Sequence, residues 1–206
     1  MKVHGDYPDC VYRAFDKKDD AEKFINEGRF VLGNLKKYKN IEDSSRKDET
    51  EGEAVFQRPG IDTSTHCELV NPRFILCTSL PDVDLAHMVE KFGKYIVKID
   101  NPTQLGRDIT SYLETLPLKF AGGIKGHRVK YNKGHKFDKE IDGVKMVTLS
   151  CSQKPDRFEK DCEFRFVAIV KGSPSDHLFD LYDEEILEIN LNKKLTYAKL
   201  INYENI

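Results

Sequence analysis

The chain has 206 residues, of which 39% are hydrophobic and 33% charged, with Phe and Tyr as its only aromatic side chains besides His. That is enough apolar material to fill the core of one domain over residues 1–206, and it excludes a disordered or fibrous polymer. Thirty-three Lys and Arg against thirty-five Asp and Glu leave a net charge of -2, which excludes an overall field drawing the protein onto nucleic acid or an anionic membrane.

The opening MKVHGDYPDC has no apolar signal region, and no apolar run approaches the roughly 18 residues needed to span a bilayer. A cytoplasmic protein without a membrane partner is expected. The five cysteines (Cys10, Cys67, Cys77, Cys151 and Cys162) form no Cys-x-x-Cys pair, so reduced, packed thiols are expected rather than a disulfide framework. His66 beside Cys67, and His127 eight residues before His135, match no zinc-ligand spacing, and no metal is expected.

In chain order, Cys10 to Phe15 (CVYRAF) alternates Val11 and Arg13 with Tyr12 and Ala14, which predicts a short strand. Asp16 is placed to cap a helix carrying Ala21, Phe24 and Ile25 on one face and stopped by Gly28. RFVLG then predicts a second strand, NLKKYKNI one or two helical turns, and the chain is extended from Ala54. Between them, IEDSSRKDETEGEAVF concentrates charge in one loop.

RFILCTSL, Arg73 to Leu80, is a dense apolar run of the kind found in a buried central strand. DVDLAHMVEKFG fits a helix closed by Gly93, KYIVKID a strand, and NPTQLGRDITSYLETL a helix with Asn101 as cap and Pro102 in its first turn. Residues 121–142, rich in Gly and Lys, predict an exposed hairpin. KMVTLSCS, CEFRFVAIVKG and EEILEINL predict three further strands. Helices mainly in the N-terminal half, followed by strands, indicate an α+β single domain with a mixed or antiparallel central sheet.

No G-x-G-x-x-G, Walker A, G-x-S-x-G or H-E-x-x-H signature occurs, so dinucleotide-fold, P-loop, hydrolase-elbow and zinc-protease chemistries lack support. Glu163 stands out instead. In DCEFRFVAIV, Glu163, Arg165, Val167 and Ile169 share one strand face. A charged pair therefore sits where an apolar face runs on, and a buried carboxylate needs a partner or a ligand. A structural cross-strand network accounts for Arg165 equally well.

Arg13 in VYRAF, Thr78 and Ser79 in LCTSL and Glu163 in CEFRF stand in that order along the chain. This arrangement resembles the ADP-ribosyltransferase superfamily, specifically its arginine-serine-glutamate branch. YRAF, the acidic loop, FILCTSL and RFEKDCEFRFVAIV together, from Val11 to Val170, also resemble a widespread bacterial family of unknown function ending in a Glu-x-Glu-(Tyr/Phe)-Arg strand. The middle motif here is Cys77-Thr78-Ser79, not Ser-Thr-Ser, and Asp161 stands two residues before Glu163 where many transferases carry Glu or Gln.

The resemblance implies an ADP-ribosyltransferase-like fold that uses NAD and transfers ADP-ribose to a macromolecular acceptor, or hydrolyses NAD, as a toxin or a phage defence or counter-defence factor would. Glu163 would stabilise the positive charge that develops on the ribose. Arg13 and Arg46 would meet the pyrophosphate, Tyr12 or Tyr95 would stack on nicotinamide, and Thr78 and Ser79 would order the site. Each also has an ordinary reading: Tyr12 and Tyr95 as strand residues at a core edge, Thr78 and Ser79 as strand-end hydroxyls, Arg13 as a surface residue. In the charged loop Arg46 is the residue suited to phosphate, and Asp48 and Glu51 would orient Arg13 or Arg46.

Two other readings remain open. One is a non-catalytic module that recognises a nucleotide, nucleic acid or protein through the cleft or through Lys125–Lys139, where cations interleave with Tyr131 and Phe137. The other is a metal-dependent nuclease built on Asp48, Glu51 and Glu163.

Overall fold

The computed structural model describes residues 4–35, 53–57, 64–68, 73–117, 120, 123–131, 151–171 and 186–202. The first segment runs through β1 (His4–Gly5), β2 (Val11–Phe15), helix α1 (Lys18–Glu27) and β3 (Arg29–Asn34). Strands β4 (Glu53–Gln57) and β5 (Ser64–Glu68) pair with each other in antiparallel fashion. Then come β6 (Arg73–Ser79), α2 (Leu85–Phe92), β7 (Tyr95–Ile99), α3 (Pro102–Thr115), β8 (Lys125–Arg128) and β9 (Lys130–Tyr131). The last segments carry β10 (Gln153–Lys154), a 3-10 helix (Asp156–Asp161), β11 (Glu163–Ile169), β12 (Ile186–Asn190) and β13 (Ala198–Ile201).

Local chemistry explains most of these boundaries. Asn101 caps α3 by accepting the Gln104 N–H at 2.9 Å, and Pro102 occupies the first helical position, where no donor is needed. Asp84 caps α2 through the Ala86 N–H at 2.9 Å. Gly28 ends α1 in the left-handed region at φ 63°, a conformation glycine adopts without steric cost. Asp16 is not the cap of α1, contrary to the sequence expectation. Lys17 takes that position with an extended backbone and no side-chain cap, while Asp19 and Asp20 in the first turn complement the helix dipole.

The protein is α+β, with a mostly antiparallel main sheet. Among the described residues this sheet has nine strands in the order β1-β8-β11-β6-β2-β7-β13, with β3 also on β6 and β12 on β3. At its centre β11 pairs with β6 along its whole length, from Glu163 opposite Ser79 to Ile169 opposite Arg73.

Both faces of the central strands are buried. On one, Phe74, Leu76, Phe164 and Phe166 pack with Phe24 of α1 and with Leu105, Ile109 and Leu113 of α3. Full burial of such a side chain stabilises by about 1.5–3 kcal/mol. On the other, Ile75, Val167 and Ile169 pack with Leu35 and Cys151, and α2 brings Val83's neighbour Met88 against Ile96, Tyr12 and Ala14.

One topological feature positions everything below. The other edge of β6 is shared: its Ser79 end pairs with Tyr12 of β2, while Ile75 and Phe74 pair with Gly33 and Asn34 of β3. Strands β2 and β3 thus diverge from β6 and leave a fork in the sheet.

Some sequence expectations fall elsewhere. Within the described part of 121–142, β8 is not an arm of a local hairpin; it inserts between β1 and β11, and β9 pairs in parallel with β10. Most of NLKKYKNI and of KMVTLSCS lies outside the described residues. The edge strand β13 was not anticipated at all. Among the described residues no helix is long and apolar enough to cross a membrane.

Candidate functional site

At the mouth of the fork lies a cavity of about 220 Å³, bounded by β2, β6, α2, β10 and the start of β11. Tyr12, Arg13, Thr78, Ser79 and Glu163 all line it, so the fold brings five of the seven residues singled out in the sequence to one place.

Glu163 opens β11 at the end of a tight turn. The preceding residue, Cys162, sits in the left-handed region at φ 44° and closes the 3-10 helix, a conformation sparsely populated by non-glycine residues. This turn fixes the direction in which the strand starts. The Glu163 N–H then donates to the Tyr131 hydroxyl at 2.7 Å.

The Glu163 side chain is 6% exposed and held by two cations. Arg165 Nε and Nη2 reach its two oxygens at 2.8 and 3.3 Å, and Lys154 Nζ lies 2.8 Å from Oε2. Burial alone would raise its pKa, but Arg165 and Lys154 outweigh burial and hold the carboxyl far below the usual carboxylate range. It is a carboxylate at neutral pH. Beside it, burial and the Glu163 charge push the Cys77 thiol up to about 12, so Cys77 is no nucleophile.

Arg13 occupies the fork itself. Its Nη1 donates to the Cys77 carbonyl at 2.7 Å, at the point of β6 between its pairings with β2 and β3. Its guanidinium also lies 5.3 Å from the Phe15 ring centre. Tyr12 is half-buried on the cavity wall. Thr78 has a structural duty: its hydroxyl donates to the Phe164 carbonyl at 2.8 Å and ties β6 to β11. Ser79, 5% exposed, stands directly opposite Glu163.

Tyr95 does not line the cavity. It pairs with Phe15 at the far end of β2, packs on the edge of the main core, and carries Lys94 over its ring at 5.3 Å. Arg46, Asp48 and Glu51 lie outside the described residues. Of Lys125–Lys139, the described part is divided: Lys125 and His127 are half-buried while Arg128 and Lys130 are exposed, and burial with the nearby Lys125 and Arg165 charges lowers His127 to about 4.

Several lining residues escaped the sequence reading. Lys91 comes from α2 with Met88 three residues earlier on the same helix face, a spacing that places both toward the cavity. It binds Asp161 at 2.7 and 2.9 Å, and His87 Nε2 lies 2.9 Å from the same carboxylate, which is 3% exposed. Lys154 approaches from β10, and its Nζ and that of Lys91 lie 4.9 and 5.1 Å from the centre of the Phe158 ring. The spacing of Lys91 from Met88 was a readable signal; nothing in the sequence around Lys154 marked it.

No family model, curated protein or solved structure matches the chain. The site therefore rests on its own geometry. Among the described residues, its lining sets three cations, Arg13, Lys91 and Lys154, against two carboxylates, Asp161 and Glu163, with Arg165 behind. Positive charge exceeds negative in a concave, partly apolar space, which suits an anionic ligand. Among the described residues no group of three or more His, Cys, Asp or Glu is arranged to hold a metal ion.

Proposed function

We propose that this cleft binds NAD and that the protein is ADP-ribosyltransferase-like, transferring ADP-ribose to a macromolecule or hydrolysing NAD. The observation that carries the reading is the convergence of Tyr12, Arg13, Thr78, Ser79 and Glu163 on one cavity with excess positive charge.

The chemistry asks for these groups. Heterolysis of the bond between nicotinamide nitrogen and ribose carbon sends the electron pair to nicotinamide, which leaves neutral, and develops positive charge on the sugar. The Glu163 carboxylate, kept ionised by Arg165 and Lys154, stabilises that charge and orients a ribose hydroxyl. A nucleophilic oxygen or nitrogen of the acceptor, or water, then bonds to the same carbon and gives up its proton. Arg13, anchored on the Cys77 carbonyl, presents a planar cation to the pyrophosphate. Tyr12 offers a ring for stacking. A toxin or phage defence factor is the biological setting such an activity suits.

One observation favours a second reading. Both Glu163 oxygens are engaged by cations, which blunts the negative field available to a substrate, as a non-catalytic nucleotide-binding module on the same cleft would tolerate.

Calorimetric titration with NAD and chromatographic detection of nicotinamide separate the two. The transferase reading expects binding, nicotinamide release, and a loss of about 100-fold or more in release for Glu163→Gln with NAD still bound. Binding without release assigns the module. No NAD binding by the folded protein removes both.

A further inference from the structure

The two cations on Glu163 are held in different ways. Arg165 stands within β11, a strand of seven residues paired on both sides. Its side chain is fully buried, its Nη1 donates to the Cys151 carbonyl at 2.8 Å, and its Nε meets Glu163 Oε1 at 2.8 Å. It does not line the cavity, whereas Lys154 does. Lys154 stands on β10, only two residues long and paired with β9 in parallel. Its Nζ takes Glu163 Oε2 at 2.8 Å, an oxygen that Arg165 Nη2 reaches at 3.3 Å, long for a charge-assisted bond.

An anion in the cavity therefore meets the Lys154 ammonium and not the Arg165 guanidinium. A lysine head is a compact charge on a flexible four-carbon stem, while the guanidinium is a planar fork fixed by its hydrogen bonds. With the lysine turned away, Oε2 is open to a donor from the cavity. The carboxyl stays ionised all the same: burial opposes ionisation, and of the charges that overcome it Arg165 is the larger.

We infer that Lys154 is a latch with two seats, one on Glu163 Oε2 and the other on a phosphate oxygen of the ligand, so that an arriving phosphate uncovers Oε2 for a ribose hydroxyl. This deepens the NAD reading and rests on it for the identity of the sugar. No proton moves in the exchange, because Lys154 stays an ammonium and Glu163 a carboxylate. One charge-assisted hydrogen bond replaces another, which keeps the two seats close in free energy. The latch also reconciles the engaged oxygens of Glu163 with a catalytic role, since the negative field is covered only until an anion draws the lysine away.

Calorimetric titration with inorganic pyrophosphate over a double-mutant cycle tests the exchange without any turnover. With Lys154 present, Glu163→Gln removes the competitor for the ammonium, and pyrophosphate should bind roughly tenfold tighter or more. In the Lys154→Met background the same change should matter by about threefold or less. Equal tightening in both backgrounds would show that Glu163 acts on the anion by its charge alone and overturns the latch, as does absence of pyrophosphate binding by every folded form. Should Glu163→Gln not fold, the carboxyl carbon resonance of Glu163 decides: pyrophosphate should shift it in wild type and leave it in place in Lys154→Met, and equal shifts overturn the latch. A cycle with the expected coupling, but no nicotinamide released from NAD by wild type, upholds the latch for an anionic ligand and removes the NAD reading. Release from NAD with an additive cycle does the reverse. Where both hold, Lys154→Met should release nicotinamide about tenfold faster than wild type from nicotinamide riboside, which has no phosphate to draw the lysine away, while binding NAD about tenfold more weakly. No gain on the riboside overturns the latch.

Discussion

Lys154 and Glu163 face each other across the cavity wall at 2.8 Å, with side chains 9% and 6% exposed, and Arg165 closes the same carboxylate from its own strand. The three charges are a unit whose members are unequal. Glu163→Gln removes the carboxylate that two buried cations share and should cost about 3–5 kcal/mol of stability. Lys154→Met leaves the Glu163–Arg165 pair intact and should cost less, about 1–2 kcal/mol. Urea unfolding of both variants checks the order; a Lys154 variant less stable than the Glu163 variant would show that the lysine, not the carboxylate, holds the centre.

The same unit sets an acid limit. The folded-state Glu163 carboxyl is depressed by Arg165 and Lys154, so its contribution is fully present above the unfolded value of about 4.3 and is lost as pH falls below it. Wild-type stability should drop below about pH 4 more steeply than that of Glu163→Gln, which has no proton to take up there.

His127 acts in a milder window. Burial, then Lys125 and Arg165, lower it to about 4, and Arg165 is its direct cross-strand partner. A histidine kept neutral in the fold supports stability above its unfolded value of about 6.5 and loses that support as pH falls toward 4. Between pH 7.5 and 5.5 the wild type should lose about 1 kcal/mol from this group alone. Urea midpoints of wild type and His127→Phe across that interval give the difference; parallel curves would mean that the imidazole is not desolvated.

Legibility in the sequence followed how local each cause is. Strand β11 could be read because Phe164, Phe166 and Ala168 alternate with Glu163, Arg165 and Val167, and the register keeps that alternation. Helix α3 could be read because Asn101 and Pro102 sit beside the bonds they govern. Asp16 misled because the cap position depends on where the backbone turns helical, which Lys17 decides one residue later. The fork had no sequence signal: it arises because two strands from one segment share a single edge of β6. Lys154 reaches Glu163 only through the pairing of β10 with β9, a contact between short, unpatterned segments. Strand β13 hid because its burial alternates weakly, with Lys199 and Leu200 both exposed at the sheet edge.

Gly126 marks a place where backbone and rings meet too closely for a side chain. A Cβ there would lie 2.6 Å from the Tyr7 ring and 2.7 Å from the Phe164 ring, and these rings themselves pack 5.6 Å apart between centres. Gly126→Ala should cost about 1–3 kcal/mol through overpacking. Removing the Tyr7 ring relieves part of the clash, so the double variant Gly126→Ala with Tyr7→Leu should be less destabilised than the sum of the two single changes. Thermal unfolding of the cycle measures this, and strict additivity would place the strain elsewhere.

At the opposite side of the fold, Asp108 of α3 fixes the last described strand. The Tyr197 hydroxyl donates to Asp108 Oδ2 at 2.6 Å, Gln104 Nε2 donates to Oδ1 at 2.9 Å, and Lys193 Nζ lies 2.7 Å from Oδ1. Asp108 is 7% exposed while the Lys193 side chain is 49% exposed, so solvent screens the lysine more than the phenol. Tyr197→Phe removes a hydrogen bond to a buried charge and should cost about 1.5–3 kcal/mol. Lys193→Met should cost at most about 1 kcal/mol. Because Ala198 follows Tyr197 directly and opens β13 against Ile99, the phenol variant should also speed amide hydrogen exchange in β13 before it affects β11. Uniform acceleration across both strands would show instead that the Asp108 contacts act on global stability and not on the docking of this edge.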